Sequence, residues 1–169
     1  MANTDNARGF IHPQTNDGGP VVLKEYTAAS QIFVGDPCLI STTGTVARVG
    51  NGDDATAFDA ICTSFASTAA IAAGNSTVHL ITDLSRYTFE IQADAALAAD
   101  VRGQEYGLTQ AAGDTTTGYS GCELDVAVAG AGGNVRVVDM INRPDNDNTL
   151  TNSKVRVEFA EWANAPTVS

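Results

Sequence analysis

One stretch of the chain decides the fold class: RYTFEIQ, at residues 86–92. Its apolar side chains Tyr87, Phe89 and Ile91 alternate strictly with polar ones. In an extended strand, this alternation places the apolar side chains on one face and the polar side chains on the other. The stretch therefore predicts a β-strand in a sheet that has one face on a core and one wetter face.

Shorter runs with the same strand character surround this stretch, and Gly, Asn, Asp and Pro separate them. Only residues 95–101 fit a helix, and it would be barely two turns long. Many short strands, separated by turns and with almost no helix, are typical of closed barrels and sandwiches. The sequence therefore predicts an all-β fold, a compact β-barrel or sandwich with an extended N-terminal arm and at most one short helix. The other predicted strands are residues 21–26, 31–34, 38–41, 45–49, 58–65, 77–82, 123–128, 135–141 and 154–159.

The 169 residues are enough for one domain with a sizeable core. We divide the chain into an extended N-terminal arm at residues 1–20, a β domain at residues 21–160 and a C-terminal tail at residues 161–169. The arm is polar and shows neither helical nor strand periodicity. We therefore expect a chain that starts at Val21 to keep its β core.

One small island interrupts the polar arm: Arg8, Phe10, Ile11 and His12. Two large apolar side chains in a polar leader lower solubility unless they dock on another surface. These four residues are the candidate binding residues of the chain. A disordered terminus is the plain alternative.

The charge balance is strongly acidic, with 20 Asp and Glu against 9 Lys and Arg and a net charge of −11. Nucleic-acid binding draws most of its affinity from Lys and Arg that neutralise phosphates. Lys24 and Lys154 are the only lysines, and no two arginines are adjacent. The composition therefore excludes nucleic acids and anionic membrane surfaces as expected partners.

The first residues have neither the basic nor the apolar segment of a signal peptide, and no run approaches the roughly 20 apolar residues of a membrane span. We expect synthesis in the cytoplasm without secretion. The three cysteines, Cys38, Cys62 and Cys122, are far apart and sit beside apolar residues. They are expected to be buried free thiols.

The chain lacks the residues of a nucleophilic active site. The segment GYSGC at residues 118–122 comes close to a Gly-x-Ser-x-Gly elbow, but its last glycine is missing. The only histidines are His12, in the arm, and His79, in the middle of a predicted strand. We therefore expect that the protein is not an enzyme.

The acidic runs do not have the spacing of metal sites. Asp145, Asn146, Asp147 and Asn148 supply the first part of a calcium loop, but its glycine and its final glutamate are missing. Asp53, Asp54 and Asp59 could form a carboxylate cluster, but loop solvation explains them better. The sequence predicts no metal and no cofactor.

Four phrases carry a resemblance by their order and spacing: IFVGDP at residues 32–37, FEIQAD at 89–94, TGYSGCELD at 117–125 and NRPDN at 142–146. In this order they resemble the small capsid decoration, or cement, proteins of tailed bacteriophages. The resemblance covers roughly residues 8–160. The departures at Cys38 and Cys122, where related chains often carry other hydrophobic residues, concern packing.

The resemblance implies a structural protein on the outer capsid surface of the virion, which assembles in the host cytoplasm and clamps neighbouring coat subunits. The major capsid protein would be its partner, and a homo-oligomer is expected, with a trimer favoured over a dimer. On the capsid, Phe10 and Ile11 would insert into a groove between subunits while Arg8 pairs with a coat carboxylate. His12 completes this docking set.

Three other readings stay open. The chain could be another virion component, such as a head–tail or tail protein. It could be a receptor- or carbohydrate-binding β module, although such modules depend on exposed aromatics and Trp162 is the only tryptophan. An enzyme is the third alternative, and it would need a base that the chain hardly supplies.

Overall fold

The structure is a computed structural model that describes residues 3–49, 58–130 and 134–160. It is mostly β, with one short helix, α1 (Thr68–Ala72), and one 3-10 turn at Leu84–Arg86. The predicted all-β fold class is confirmed. The strands are β1 (Ile11–Thr15), β2 (Lys24–Ala28), β3 (Pro37–Ile40), β4 (Thr45–Arg48), β5 (Ala60–Cys62), β6 (Thr77–Ile81), β7 (Tyr87–Gln92), β8 (Glu105–Asp114), β9 (Tyr119–Ala129), β10 (Val135–Met140) and β11 (Lys154–Phe159).

The strands form a closed five-stranded barrel and a six-stranded sheet. The barrel runs β2-β4-β3-β5-β6 and closes through the pairing of β2 with β6, and β2 and β4 are parallel. The sheet runs β1-β7-β11-β10-β8-β9 with antiparallel neighbours, so β1 and β9 are its edges. Barrel closure removes the free edges of the first unit, whereas the sheet keeps two.

Strand β5 shows how the barrel and the sheet share one domain. Ala60 and Cys62 point into the barrel, whereas Ile61 lies between them and packs with the sheet core. All three residues are buried because the strand has a core on each side. The cysteines are free and buried, as predicted.

Strand β7 confirms one half of the prediction from RYTFEIQ. Tyr87, Phe89 and Ile91 are buried in the sheet core. The opposite face is not wet, however, because Glu90 and Gln92 are each only 3% exposed. The prediction of a wetter face was wrong for these two residues, since neighbouring segments of the chain cover them.

The prediction of an extended N-terminal arm also needs correction. Phe10 is 3% exposed and packs against the rings of Phe58, Phe89 and Phe159, with centroids 5.1–6.3 Å away. Directly after it, β1 pairs with β7. The segment is therefore part of the domain, and the expectation that the core survives its removal is not supported.

The predicted helix at residues 95–101 is wrong. The structure has no helix there, and Leu97 and Val101 are buried in the sheet core from an irregular segment. Two helical turns are too few to be stable without packing, and here the packing favours another conformation. The helix α1 was not predicted, and neither was strand β8.

Several of the predicted features fall outside the described residues. These are the C-terminal tail at residues 161–169 with Trp162, and the acidic pair Asp53 and Asp54. The predicted strand at residues 31–34 is wrong, because Ile32 and Val34 make only isolated bridges, to Ala66 and Tyr119. The remaining predicted strands overlap observed ones, and residues 154–159 match β11 at both ends.

A buried polar junction joins the barrel to the sheet. Asp36, which is fully buried, accepts hydrogen bonds from the Phe33 amide, the Gln110 side chain and the Ser120 hydroxyl. Its carboxylate lies 3.4 Å from Nε of Arg48. Burial raises the pKa of Asp36, although Ser120 and Arg48 act in the opposite direction.

Candidate functional site

Residues 8–12 form a short segment, called here the N-terminal ridge, that lies between two surface hollows. The Phe10 amide donates to the Gly35 carbonyl at 3.0 Å and fixes the ridge to the barrel. Gly9 has a positive φ of 65°, and a Cβ there would lie 2.2 Å from the Gly35 oxygen. The close approach of the two backbones therefore requires glycine at position 9.

Polar contacts hold the chain that precedes the ridge. The Gln92 side chain accepts from the Asn6 amide and donates to Asp5 and Glu123, at 2.8–3.0 Å. Burial raises the pKa of the Glu123 carboxyl. The Asn3 side chain adds hydrogen bonds to the Asp147 backbone. The ridge is thus anchored at both of its ends.

An apolar groove lies on one side of the ridge, with a volume of about 350 Å³. Two exposed side chains dominate it, Val21 at 40% and Leu23 at 47% exposed. Their segment is fixed in place because the Val22 amide donates to the Tyr87 hydroxyl at 2.9 Å. The groove is completed by Phe10, Ile11, Pro13, Val34, Cys62, Thr63 and Tyr119, with Arg8 and His12 at the ridge.

A polar hollow of about 310 Å³, called here the basic depression, lies on the other side of the ridge. Arg143 binds Glu90 at 2.5 Å and lies 3.8 Å from Asp145, so both acids of the depression are engaged by one arginine. Arg8 and Lys154 line the same hollow and form no ion pair with the described residues. The depression therefore carries a local excess of positive charge.

Arg8 borders both hollows. Its guanidinium carbon lies 4.8 Å from the centroid of the Tyr119 ring. Its Nε is buried and has no hydrogen-bond partner among the described residues. A guanidinium held against a ring in this way can present its terminal nitrogens to a carboxylate.

The structure brings three of the four predicted binding residues to one surface. Arg8, Ile11 and His12 all line both the apolar groove and the basic depression. Phe10 belongs to the core instead, and only borders the groove. The predicted insertion of Phe10 into a partner is therefore not supported.

Sequence reasoning missed the residues that complete this surface. Val21 and Leu23 were read as part of a strand, and their run of apolar residues was the one available signal. Tyr119, Arg143 and Lys154 come from distant parts of the chain, and only the fold places them near the ridge.

The other candidate residues have structural partners. Ser120 is 1% exposed and donates to Asp36, so its hydroxyl is not presented to a substrate. His79 lies on the barrel strand β6, 3.5 Å from Glu25 and apart from His12. The hydroxyl and the imidazoles are not assembled into one site.

The run at residues 145–148 forms a turn. Asn146 is buried and donates to the carbonyls of Ile141 and Lys154, while Asp147 accepts from Thr149. Among the described residues, no three His, Cys, Asp or Glu side chains are grouped to hold a metal ion. The same residues include no helix that is long and apolar enough to cross a membrane.

The four phrases of the resemblance meet in the fold. Val34 bridges Tyr119, which joins the first phrase to the third. Gln92 joins the second to the third through Glu123, and the Glu90 ion pair joins the second to the fourth. Together they form the base on which the N-terminal ridge lies.

Comparison with models of protein families, with curated proteins and with solved structures gives no match for this chain.

Proposed function

We propose that this protein is a structural virion protein, a capsid decoration protein that binds the outer surface of a phage head and clamps neighbouring coat subunits. The single observation that carries the proposal is the surface formed by the N-terminal ridge, the apolar groove and the basic depression. The exposed apolar side chains of Val21 and Leu23 lie beside Arg8 in the groove. Arg8 and Lys154, which form no ion pair with the described residues, line the adjoining depression. Such a surface suits binding to another protein.

The resemblance supports the same function from another direction. The phrases at residues 32–37, 89–94, 117–125 and 142–146 form the base of this surface rather than a pocket with grouped catalytic side chains. The acidic composition suits an outer shell that faces solvent. Many copies on one lattice let a modest interface in each copy contribute a large total stabilisation.

The proposal includes self-association of the protein. A symmetric homo-oligomer, a trimer before a dimer, would match the local symmetry axes of a capsid. Light scattering of the purified chain at rising concentration tests this part. A monomer at every concentration would contradict assembly before docking.

The test of the function is co-sedimentation with undecorated heads of the phage that encodes the chain. We expect saturable binding to undecorated heads and greater resistance of decorated heads to heat or low salt. Mature heads that already carry the protein are the matched control, and they should take up little more. Failure to bind undecorated heads would overturn the proposal.

A further inference from the structure

The N-terminal ridge separates two hollows of opposite chemistry. Val21 and Leu23 make one side apolar, while Arg8, Arg143 and Lys154 outnumber Glu90 and Asp145 on the other. The whole chain has a net charge of −11, so this face reverses the sign of the molecule locally. It attracts an acidic partner that the rest of the surface repels.

The free edge of β1 does not offer a regular ladder to a partner strand. Pro13 has no amide hydrogen to donate, and His12 has a positive φ of 49°. The pairing of β1 with β7 also shifts register between Ile11 and Gln14. An occupant at this edge must therefore be held mainly by side-chain contacts and not by strand addition.

We propose that this face binds an extended protein segment in which an Asp or Glu is flanked by apolar side chains. The apolar side chains fill the groove beside Val21 and Leu23. The carboxylate binds the guanidinium of Arg8 and the ammonium of Lys154. The inference rests on the proposed function for the source of the segment, which would be the coat protein, but its chemistry can be tested without the phage.

Two features explain why a single bound segment would contact both the apolar groove and the basic depression. Arg8, Ile11 and His12 line the groove and the depression alike, so the two hollows share a wall. Arg143 is already bound to Glu90 and Asp145, whereas Arg8 and Lys154 form no ion pair within the described part of the chain. A carboxylate at the ridge therefore gains two charge-assisted contacts at once.

The test is an NMR titration of the full chain with three short capped peptides: alternating leucine–aspartate, leucine–asparagine and leucine–lysine. We expect the aspartate peptide to shift the amide signals of Ile11, Val21 and Leu23. It should bind about fivefold or more tightly than the asparagine peptide, which is about 1 kcal/mol and within the range of solvent-exposed ion pairs. The lysine peptide should bind weakest of the three.

The double variant R8Q/K154Q should bind the aspartate and asparagine peptides equally. The matched control is R102Q, because Arg102 lines neither hollow and forms an ion pair with Asp100, and it should keep the preference. Equal binding of the aspartate and asparagine peptides to the parent chain would overturn the inference. So would shifts on another face, or no binding at all.

Other outcomes separate this inference from the proposed function. Signals of Val21 and Leu23 that shift with protein concentration alone would show that a second copy fills the groove, which contradicts the inference. Aspartate-peptide binding without head binding would support the inference and refute the decoration role. Binding to heads, with no preference for the aspartate peptide over the asparagine peptide, would support the decoration role and refute the inference.

Discussion

Two arginines of this protein lie against aromatic rings, yet their surroundings differ. Arg48 lies 5.4 Å from the centroid of Phe33, pairs with the buried Asp36 and donates to the Ala111 carbonyl at 2.7 Å. Arg8 lies 4.8 Å from the centroid of Tyr119 and has no acidic partner among the described residues. The first arginine joins the barrel to the sheet, whereas the second borders an open groove.

The difference shows how one residue type can serve stability or binding. A charge whose partners are inside the molecule contributes to a fixed junction, and its loss leaves a buried partner unpaired. A charge whose donors remain unused can gain its partner from another molecule. We therefore expect substitutions around Arg48 to change stability and substitutions around Arg8 to change binding.

The largest effect should come from D36A. It removes the acceptor of three hydrogen bonds and leaves the charge of Arg48 without its partner. We expect a loss of about 3–5 kcal/mol in the free energy of unfolding, measured with urea. D100A is the control, because its ion pair with Arg102 is exposed, and it should cost far less. Equal effects would show that the junction is not a structural centre.

The variant F10A tests whether the N-terminal segment belongs to the core. It leaves a cavity among Phe58, Phe89 and Phe159, so we expect a loss of about 3–4 kcal/mol. The control F65A removes a ring that is 38% exposed and should cost clearly less. If F10A were as stable as the parent, the N-terminal segment would not belong to the core, and the extended arm predicted from the sequence would be correct.

The variant L23S tests the binding side of the comparison. Leu23 is 47% exposed, so its loss should change the free energy of unfolding by less than about 0.5 kcal/mol. Binding to undecorated heads should weaken by about fivefold, the equivalent of roughly 1 kcal/mol of lost burial. The control V128S alters an equally exposed residue on the far edge strand β9 and should bind like the parent.

The smallest effect concerns Glu123, whose pKa is raised by burial. The folded chain then holds this proton more tightly than the unfolded chain, so stability falls as the pH rises through the interval between the two pKa values. The E123Q variant keeps an oxygen for Gln92 without the charge. We expect a slightly higher melting temperature than the parent at neutral pH, and a difference that vanishes in acid. A less stable variant at neutral pH would contradict this account.

The sequence predicted what depends on local alternation. Strand β7 was found because apolar and polar residues alternate within seven positions, and β11 was found for a similar reason. The burial of Phe10 was missed because its partners, Phe58, Phe89 and Phe159, are far away in the chain. Strand β1 was missed because its sequence, IHPQT, has one large aliphatic side chain and contains Pro13, which is uncommon inside strands.

The candidate surface was predictable only in part. The cluster with Arg8, Ile11 and His12 was identified because it includes large apolar side chains in an otherwise polar segment. Its groove and its charge excess depend on Tyr119 and Lys154, which the sheet brings to the ridge from distant strands. No local pattern in the sequence marks such a combination.

A cryo-microscopy map of decorated heads tests the central claim most directly, because it shows which face of the protein meets the coat. We expect that Arg8, Val21 and Leu23 contact coat subunits, with a coat carboxylate near Arg8 and Lys154. A map in which the N-terminal ridge faces solvent, while another surface meets the coat, would contradict the account.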